Sequence, residues 1–272
     1  MGKELIKDLE KKKIIAMLAP SFVAEFEYPE IISQLHSLGF DKVVELTFGA
    51  KMINRLYHSQ LLKNKKLLIS SVCPGIVSVI KKKYPEYIQN LAKIDSPIIA
   101  TAKICKRVFK QPVCFISPCN FKKQEAENSK YVDYVIDYNE LKQLFASNKR
   151  LSKPTSKVQQ FDKFYNDFTK IYPLSGGLSK TSHLKGVLKK NESKIIDGIL
   201  EVEKFLKNPG KIRFLDCTFC HGGCIGAPFI SNKNIGECKK KVLDYLKLSK
   251  KEKISKTNLG LIERASGINF SH

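Results

Sequence analysis

The sequence predicts an α/β fold of parallel sheets flanked by helices, and three observations predict it. Short apolar runs of strand length recur along the first half. Amphipathic stretches with apolar residues at spacings of three and four lie between them, and 43% of the 272 residues are apolar, enough for a real core. Alternation of this kind calls for parallel strands with helices packed on the sheet.

In chain order, "IIAMLAP" (14–20), "KVVEL" (42–46), "KLLISS" (66–71), "PIIATA" (97–102) and "VCFISP" (113–118) read as buried strands. "EFEYPEIISQLHSLGF" (25–40) and "GIVSVIKKKYPEYIQNLAKI" (75–94) read as helices between them. A second region opens near Tyr131 with "YVDYVIDYNELKQLF", and "LSKPTSK" (151–157) reads as a loop. "KIRFLDCTFC" supplies a late strand and "KNIGECKKKVLDYLKLSKKEK" a closing helix. The sequence has neither an internal repeat nor a low-complexity tract.

Charge excludes less than it promises. The chain carries a net charge of +22, but only five of its 48 basic residues are arginine. Base readout and bidentate phosphate clamps favour arginine, so nucleic acid is not the expected partner; an acidic protein face is. No apolar run reaches the roughly 20 residues that span a bilayer, and "MGKELIKDLEKKK" lacks the features of a signal peptide. A cytoplasmic protein without membrane attachment is expected. In that reducing setting, clustered cysteines are metal ligands or catalytic groups rather than disulfide partners.

Three of the eight cysteines stand in "FLDCTFCHGGCIGAP" (214–228), among glycines that let backbone approach a bulky group closely. Cys73 in "SSVCPG" and Cys119 in "ISPCNFKKQE" each follow an expected strand at its C-terminal end, where open parallel sheets bind ligands. With Cys220 and Cys224 they make four thiolates from three separated segments, the usual ligand set of a 4Fe-4S cluster.

These segments resemble the three signatures of the iron-only (FeFe) hydrogenase catalytic domain: TSCCPGW, PCxxKxxE and CxGGCxxGGGQP. Here they read "SSVCPGI", "PCNFKKQE" and "CHGGCIGAP", in the same order, within a likeness running from about residue 14 to 228. The resemblance implies one hydrogenase-like domain over residues 1–272, of two lobes (about 14–130 and 131–235) with the cluster between them, and a basic C-terminal helix and tail (about 236–272). It implies Cys73, Cys119, Cys220 and Cys224 as 4Fe-4S ligands, Cys224 bridging to a diiron subcluster, and Val72 and Pro118 beside the cofactor. Lys122 matches the lysine that donates to a cyanide ligand of the diiron unit, and Glu125 its neighbouring carboxylate. On composition alone Lys122 is one more solvated lysine in a lysine-rich chain.

Departures from the family pattern fall on the proton path. The cysteine expected before the first ligand is Val72, two expected glutamates fall at Tyr57 and Gln60, and an expected serine falls at Ala92. Ile76, Ile98 and Ser117 also replace an aromatic, a glutamine and a methionine. Retained ligands with a lost proton wire look like the sensory or slow branch of the family, so a slow hydrogenase or a hydrogen and redox sensor is expected. Hydrogen and protons are its expected substrates. The first 72 residues hold no cysteine, so a separate ferredoxin-like protein is the expected electron carrier.

Other readings stand beside this one. A 4Fe-4S-only relative serving cluster assembly or electron transfer is the main alternative, against which Lys122 and Glu125 weigh. A zinc site on Cys217, Cys220, His221 and Cys224 would leave Cys73 and Cys119 unexplained. Cys217 is either a spare ligand or a core thiol, and His221 either a cluster neighbour or an exposed loop residue. Cys105, Cys114 and Cys238 read as isolated structural thiols.

Overall fold

The computed structural model describes residues 2–147 and 160–272. Its elements in chain order are α1 (Gly2–Leu9), β1 (Ile15–Leu18), α2 (Glu30–Leu38), β2 (Lys42–Glu45), α3 (Thr47–Lys63), β3 (Leu68–Ile69), α4 (Pro74–Lys83), α5 (Pro97–Phe109), β4 (Val113–Ser117), α6 (Asn120–Glu127), β5 (Tyr134–Asp137), α7 (Tyr138–Ser147), α8 (Gly177–Thr181), β6 (Ser193–Asp197), α9 (Ile199–Leu206), β7 (Phe214–Thr218) and α10 (Ile235–Ser249). Two parallel sheets result, β2-β1-β4-β5 and β3-β7-β6. Register in the first pairs Ile15 with both Lys42 and Val113, and in the second pairs Phe214 with both Leu68 and Ser193.

Strands β1, β4 and β5 are buried along their whole length because helices cover both faces. Ile15 and Met17 of β1 face the α3 and α5 side with Tyr57 and Ile98, while Ala16 and Leu18 face a second core with Leu5, Ile31 and Val242. A third, smaller core packs Ile69, Leu215 and Cys217 of the second sheet against Ile76 of α4 and Val202 of α9.

Several expectations are corrected. "PIIATA" is the first half of α5 rather than a strand: Ser96 caps the helix by accepting from the Ile99 amide, Pro97 suits the first helical position, and Ile98, Ala102 and Cys105 bury one face. The single helix expected over 75–94 ends at Lys83, because Pro85 disfavours the α conformation at Tyr84, and a 3-10 turn Pro85–Asn90 follows. The helix expected over 25–40 starts after Pro29 and stops at Gly39, which has φ +109°.

Tyr131 does not separate the two sheets. β5 completes the first sheet beside β4, whereas β3, far earlier in the chain, pairs with β7 in the second. The loop expected at 151–157 lies outside the described residues.

Candidate metal centre

Three strand ends from two sheets deliver the four thiols. Cys73 follows β3 as the N-cap residue of α4, and Cys119 follows β4 as the N-cap residue of α6. Cys220 and Cys224 follow β7, where Gly223 turns the chain at φ +78°. Backbone contacts fix the loops: the Cys224 amide donates to Pro173 O at 2.7 Å, and Ser117 Oγ donates to Cys119 O at 2.8 Å. The residue standing where a methionine was expected is thus a clamp on the Cys119 turn.

All four thiols are free and partly buried. Burial pushes Cys119 up, pushes Cys220 to about 11 and pushes Cys224 to about 12; charge on the neighbouring thiols raises each further, and Lys122 partly offsets this at Cys119 and Cys224. Thiols that oppose one another's ionisation become a full thiolate set only around a positive group, so this donor set suits soft, multiply charged iron. Among the described residues, no group of three or more His, Cys, Asp or Glu side chains is gathered to hold a single metal ion. A 4Fe-4S cluster makes a different demand, since each thiolate binds its own iron.

Beside the thiols lies a largely apolar cavity lined by Val72, Cys73, Pro118, Lys122, Tyr172 and Cys224. Lys122 is 7% exposed, and its ammonium donates to Val72 O at 3.1 Å and lies 3.8 Å from Glu125 Oε2. Burial pulls Lys122 down, but Glu125 and the thiols at Cys224, Cys119 and Cys73 more than offset it, so the cation persists. Val72 therefore contributes a carbonyl acceptor, while its side chain supplies only apolar wall. Burial pushes Glu125 up against the pull of Lys122 and Ser96, and Glu125 Oε2 has no hydrogen-bond partner.

The open alternatives separate. Cys217 turns away into the core of the second sheet, 1% exposed, with its sulfur 3.9 Å from Ser70 Oγ. His221 points outward with its side chain 81% exposed, 3.4 Å from Asp197. Neither lines the cavity, and the zinc grouping is not assembled. Cys105, Cys114 and Cys238 are buried in α5, β4 and α10. Tyr57 is sealed in the core, its hydroxyl 3.0 Å from Ser71 Oγ, which donates on to Ile94 O.

Two cavity residues escaped the sequence reading. Tyr172 presents a buried hydroxyl without a partner, and Asp216 is a buried carboxyl pushed up by burial and held by the Ser179 amide at 2.8 Å. Asp216 had a signal, a lone acid in the apolar strand leading to "CHGGC"; Tyr172 had none.

Residues 12–228 match the family model described as iron only hydrogenase large subunit, C-terminal domain. The chain is 25% identical to iron hydrogenase 1 of Clostridium pasteurianum in an alignment covering 76% of this chain and 46% of that protein, so it spans less than half the length of that relative. Its fold matches an FeFe-hydrogenase structure concerned with stepwise H-cluster assembly at TM-score 0.69 and 16% identity, covering 97% of this chain and 90% of the other. A structure concerned with FeFe-hydrogenase inactivation by oxygen matches at TM-score 0.71 and 16% identity, over 94% and 90% of the two chains. A variant of the Chlamydomonas reinhardtii FeFe-hydrogenase matches at 0.68 and 15% identity, over 97% and 90%.

Proposed function

The chain belongs to the family of the iron-only hydrogenase large subunit, C-terminal domain, and from that membership we propose that it binds a 4Fe-4S cluster on Cys73, Cys119, Cys220 and Cys224. A diiron subcluster bridged from Cys224 would occupy the adjoining cavity. The protein would act as a slow hydrogenase or hydrogen sensor. One observation carries this reading: four thiols converge beside a cavity whose wall holds a buried lysine.

The metal group, when bound, supplies reversible two-electron chemistry on hydrogen. The chain's residues do the rest. Val72, Pro118, Leu174 and Leu178 exclude water from the cavity. Lys122 places a fixed cation where cyanide-bearing iron would carry negative charge, an acceptor that would add to Glu125 and the thiols in offsetting its desolvation. Val72, Tyr57 and Ala92 offer no acid comparable to a thiol or carboxyl, so proton delivery limits turnover.

An acidic ferredoxin-like carrier suits the +22 charge and would be steered to it electrostatically. Among the described residues no helix is long and apolar enough to cross a membrane, and the proposed setting is cytoplasmic.

The test is infrared spectroscopy of anaerobically matured protein. Carbonyl and cyanide stretching bands that respond to hydrogen support the reading. Iron and sulfide without those bands would leave a 4Fe-4S protein of cluster assembly or electron transfer, and absence of iron would reject both.

A further inference from the structure

Helices α3 and α8 each present residues to two separate spaces. Ala50 of α3 and Leu178 of α8 line the cavity beside the thiols, whereas Lys51, Asn54, Arg55 and His58 of α3 and Thr181 at the end of α8 line a second cleft of about 630 Å³. The two spaces share no lining residue. The four α3 residues stand at i, i+3, i+4 and i+7, so one polar face of the helix forms a wall of the cleft, while Met52, Ile53, Tyr57 and Leu61 pack in the core.

Three features of this cleft call for a ligand. Asn54 is only 4% exposed; its amide nitrogen donates to Thr181 O at 3.1 Å and to Thr181 Oγ1 at 2.8 Å, but its Oδ1 is buried without a partner. A buried acceptor left unpaired is costly, and an N–H from a ligand would satisfy it. Arg55 is exposed and has no hydrogen bond or ion pair among the described residues, and Lys51, whose ammonium donates to Gly260 O at 3.2 Å, keeps two further donors. Asp167 is the one carboxylate lining the cleft among the described residues, so the wall is positive, and the planar fork of Arg55 suits an oxyanion. Phe168, 43% exposed, stacks on His183 with centroids 4.8 Å and planes 4° apart. Both rings line the cleft and offer a planar ligand a surface for stacking.

We infer that this cleft binds a purine nucleotide, with the base on the Phe168 and His183 rings and donating an N–H to Asn54 Oδ1, and the phosphate on Arg55 and Lys51. Its volume of about 630 Å³ lies within the roughly 300–1,000 Å³ of small-molecule sites. Phosphate alone would leave the rings and Asn54 unused. An uncharged base would leave Arg55 unused. The site is separate from the thiols, and nothing in it depends on the metal group or on hydrogen chemistry.

Calorimetric titration of the whole chain with AMP tests the site, in about 0.15 M salt to screen long-range attraction to the net charge of +22. AMP should bind saturably and raise Tm. Arg55→Gln should weaken binding by about 10- to 100-fold, the usual worth of a hydrogen bond to a charged group. Phe168→Ala should weaken it by about 5- to 100-fold, the usual worth of stacking a base on an aromatic ring. Lys247→Gln removes an exposed charge from α10 and should leave affinity unchanged. The monophosphate of unsubstituted purine riboside, whose base has no N–H, should bind more weakly than AMP. Absence of AMP binding overturns the inference. So does inorganic phosphate binding as tightly as AMP, or Lys247→Gln weakening AMP as much as Arg55→Gln, since either result reduces the cleft to general charge attraction. Equal affinity for AMP and the unsubstituted purine nucleotide overturns the role given to Asn54. Unchanged affinity in a Phe168→Ala protein that unfolds at the wild-type Tm overturns the stacking.

Discussion

Replacing Gly223 by alanine isolates what the cysteine loop demands of its backbone. Gly223 has φ +78° and ψ −144°, in a region that non-glycine residues occupy at a cost of about 1–3 kcal/mol. A Cβ there would also lie 2.6 Å from Pro173 O, 0.4 Å inside the 3.0 Å below which real Cβ contacts essentially never fall. Pro173 O cannot retreat freely, since it accepts the Cys224 amide at 2.7 Å. Losing that hydrogen bond adds about 0.5–1.5 kcal/mol. The variant should therefore lose about 2–4 kcal/mol, a fall in Tm of roughly 5–15 °C for a domain of this size.

Gly198→Ala is the control, because Gly198 has φ +89° but an added Cβ would meet nothing within 4 Å. It should incur backbone strain alone and keep the metal site. Thermal unfolding of both variants, with iron analysis after anaerobic reconstitution, separates the two costs. Gly223→Ala should be the less stable and should hold less iron, since the clash displaces Cys224. Equal Tm values with full iron in both would refute the argument that this close approach positions the thiol.

Serine at Cys73, Cys119 or Cys220 should lower iron and sulfide content after reconstitution, because hydroxyl is a poor ligand for soft iron, while serine at Cys105, Cys114 or Cys238 should leave it unchanged; equal losses in both groups would contradict the ligand assignment. His36 is raised by Asp162, 3.1 Å away, despite burial. The stability from this pair is fully present below the unfolded pKa near 6.5 and is lost as pH rises through the higher folded value. Urea unfolding across that window should show a shallower pH slope in His36→Gln. Lys170 is fully buried against Glu45 at 2.6 Å, and Lys170→Met should cost about 3–5 kcal/mol in urea unfolding by stranding a buried carboxylate. Adding Glu45→Gln to Lys170→Met should recover most of that loss.

Legibility in the sequence followed burial. β1, β2, β3, β4 and β7 were readable because each lies in an apolar run with a sharp boundary, and the four thiols because they follow three of these runs, β3, β4 and β7. α5 was misread because "PIIATA" is β-branched and short, and its helical period shows only when Cys105 and Phe109 are included. β6 escaped because it is an edge strand with exposed Ile195, lacking the apolar signal of its neighbours. The assignment of β3 to the second sheet was invisible, since two residues of strand carry no information about their partner. Lys122 was legible only through its motif; its burial and its bond to the Val72 carbonyl depend on packing that local sequence does not encode.

The interleaving of the sheets explains how so short a strand can hold a metal ligand. Cys73 depends on β3, which is only Leu68–Ile69, yet its pairing continues past the strand: the Leu68 amide donates to Arg213 O at 2.8 Å and the Ser70 amide to Leu215 O at 2.9 Å. Ser70 Oγ then accepts the Cys217 amide at 3.0 Å, and the Phe219 amide reaches Cys73 Sγ at 3.4 Å. Ser70 and Cys217 each stand three residues before a ligand, Cys73 and Cys220. Their contact therefore fixes the separation of those two thiols from within the core. Cys217, which the "CTFC" spacing made a candidate ligand, acts on the site through its backbone, and its buried thiol is what packs that strand against Ile69 and Ile76. A side chain committed to the core in this way keeps the two ligand loops in register without competing for the metal.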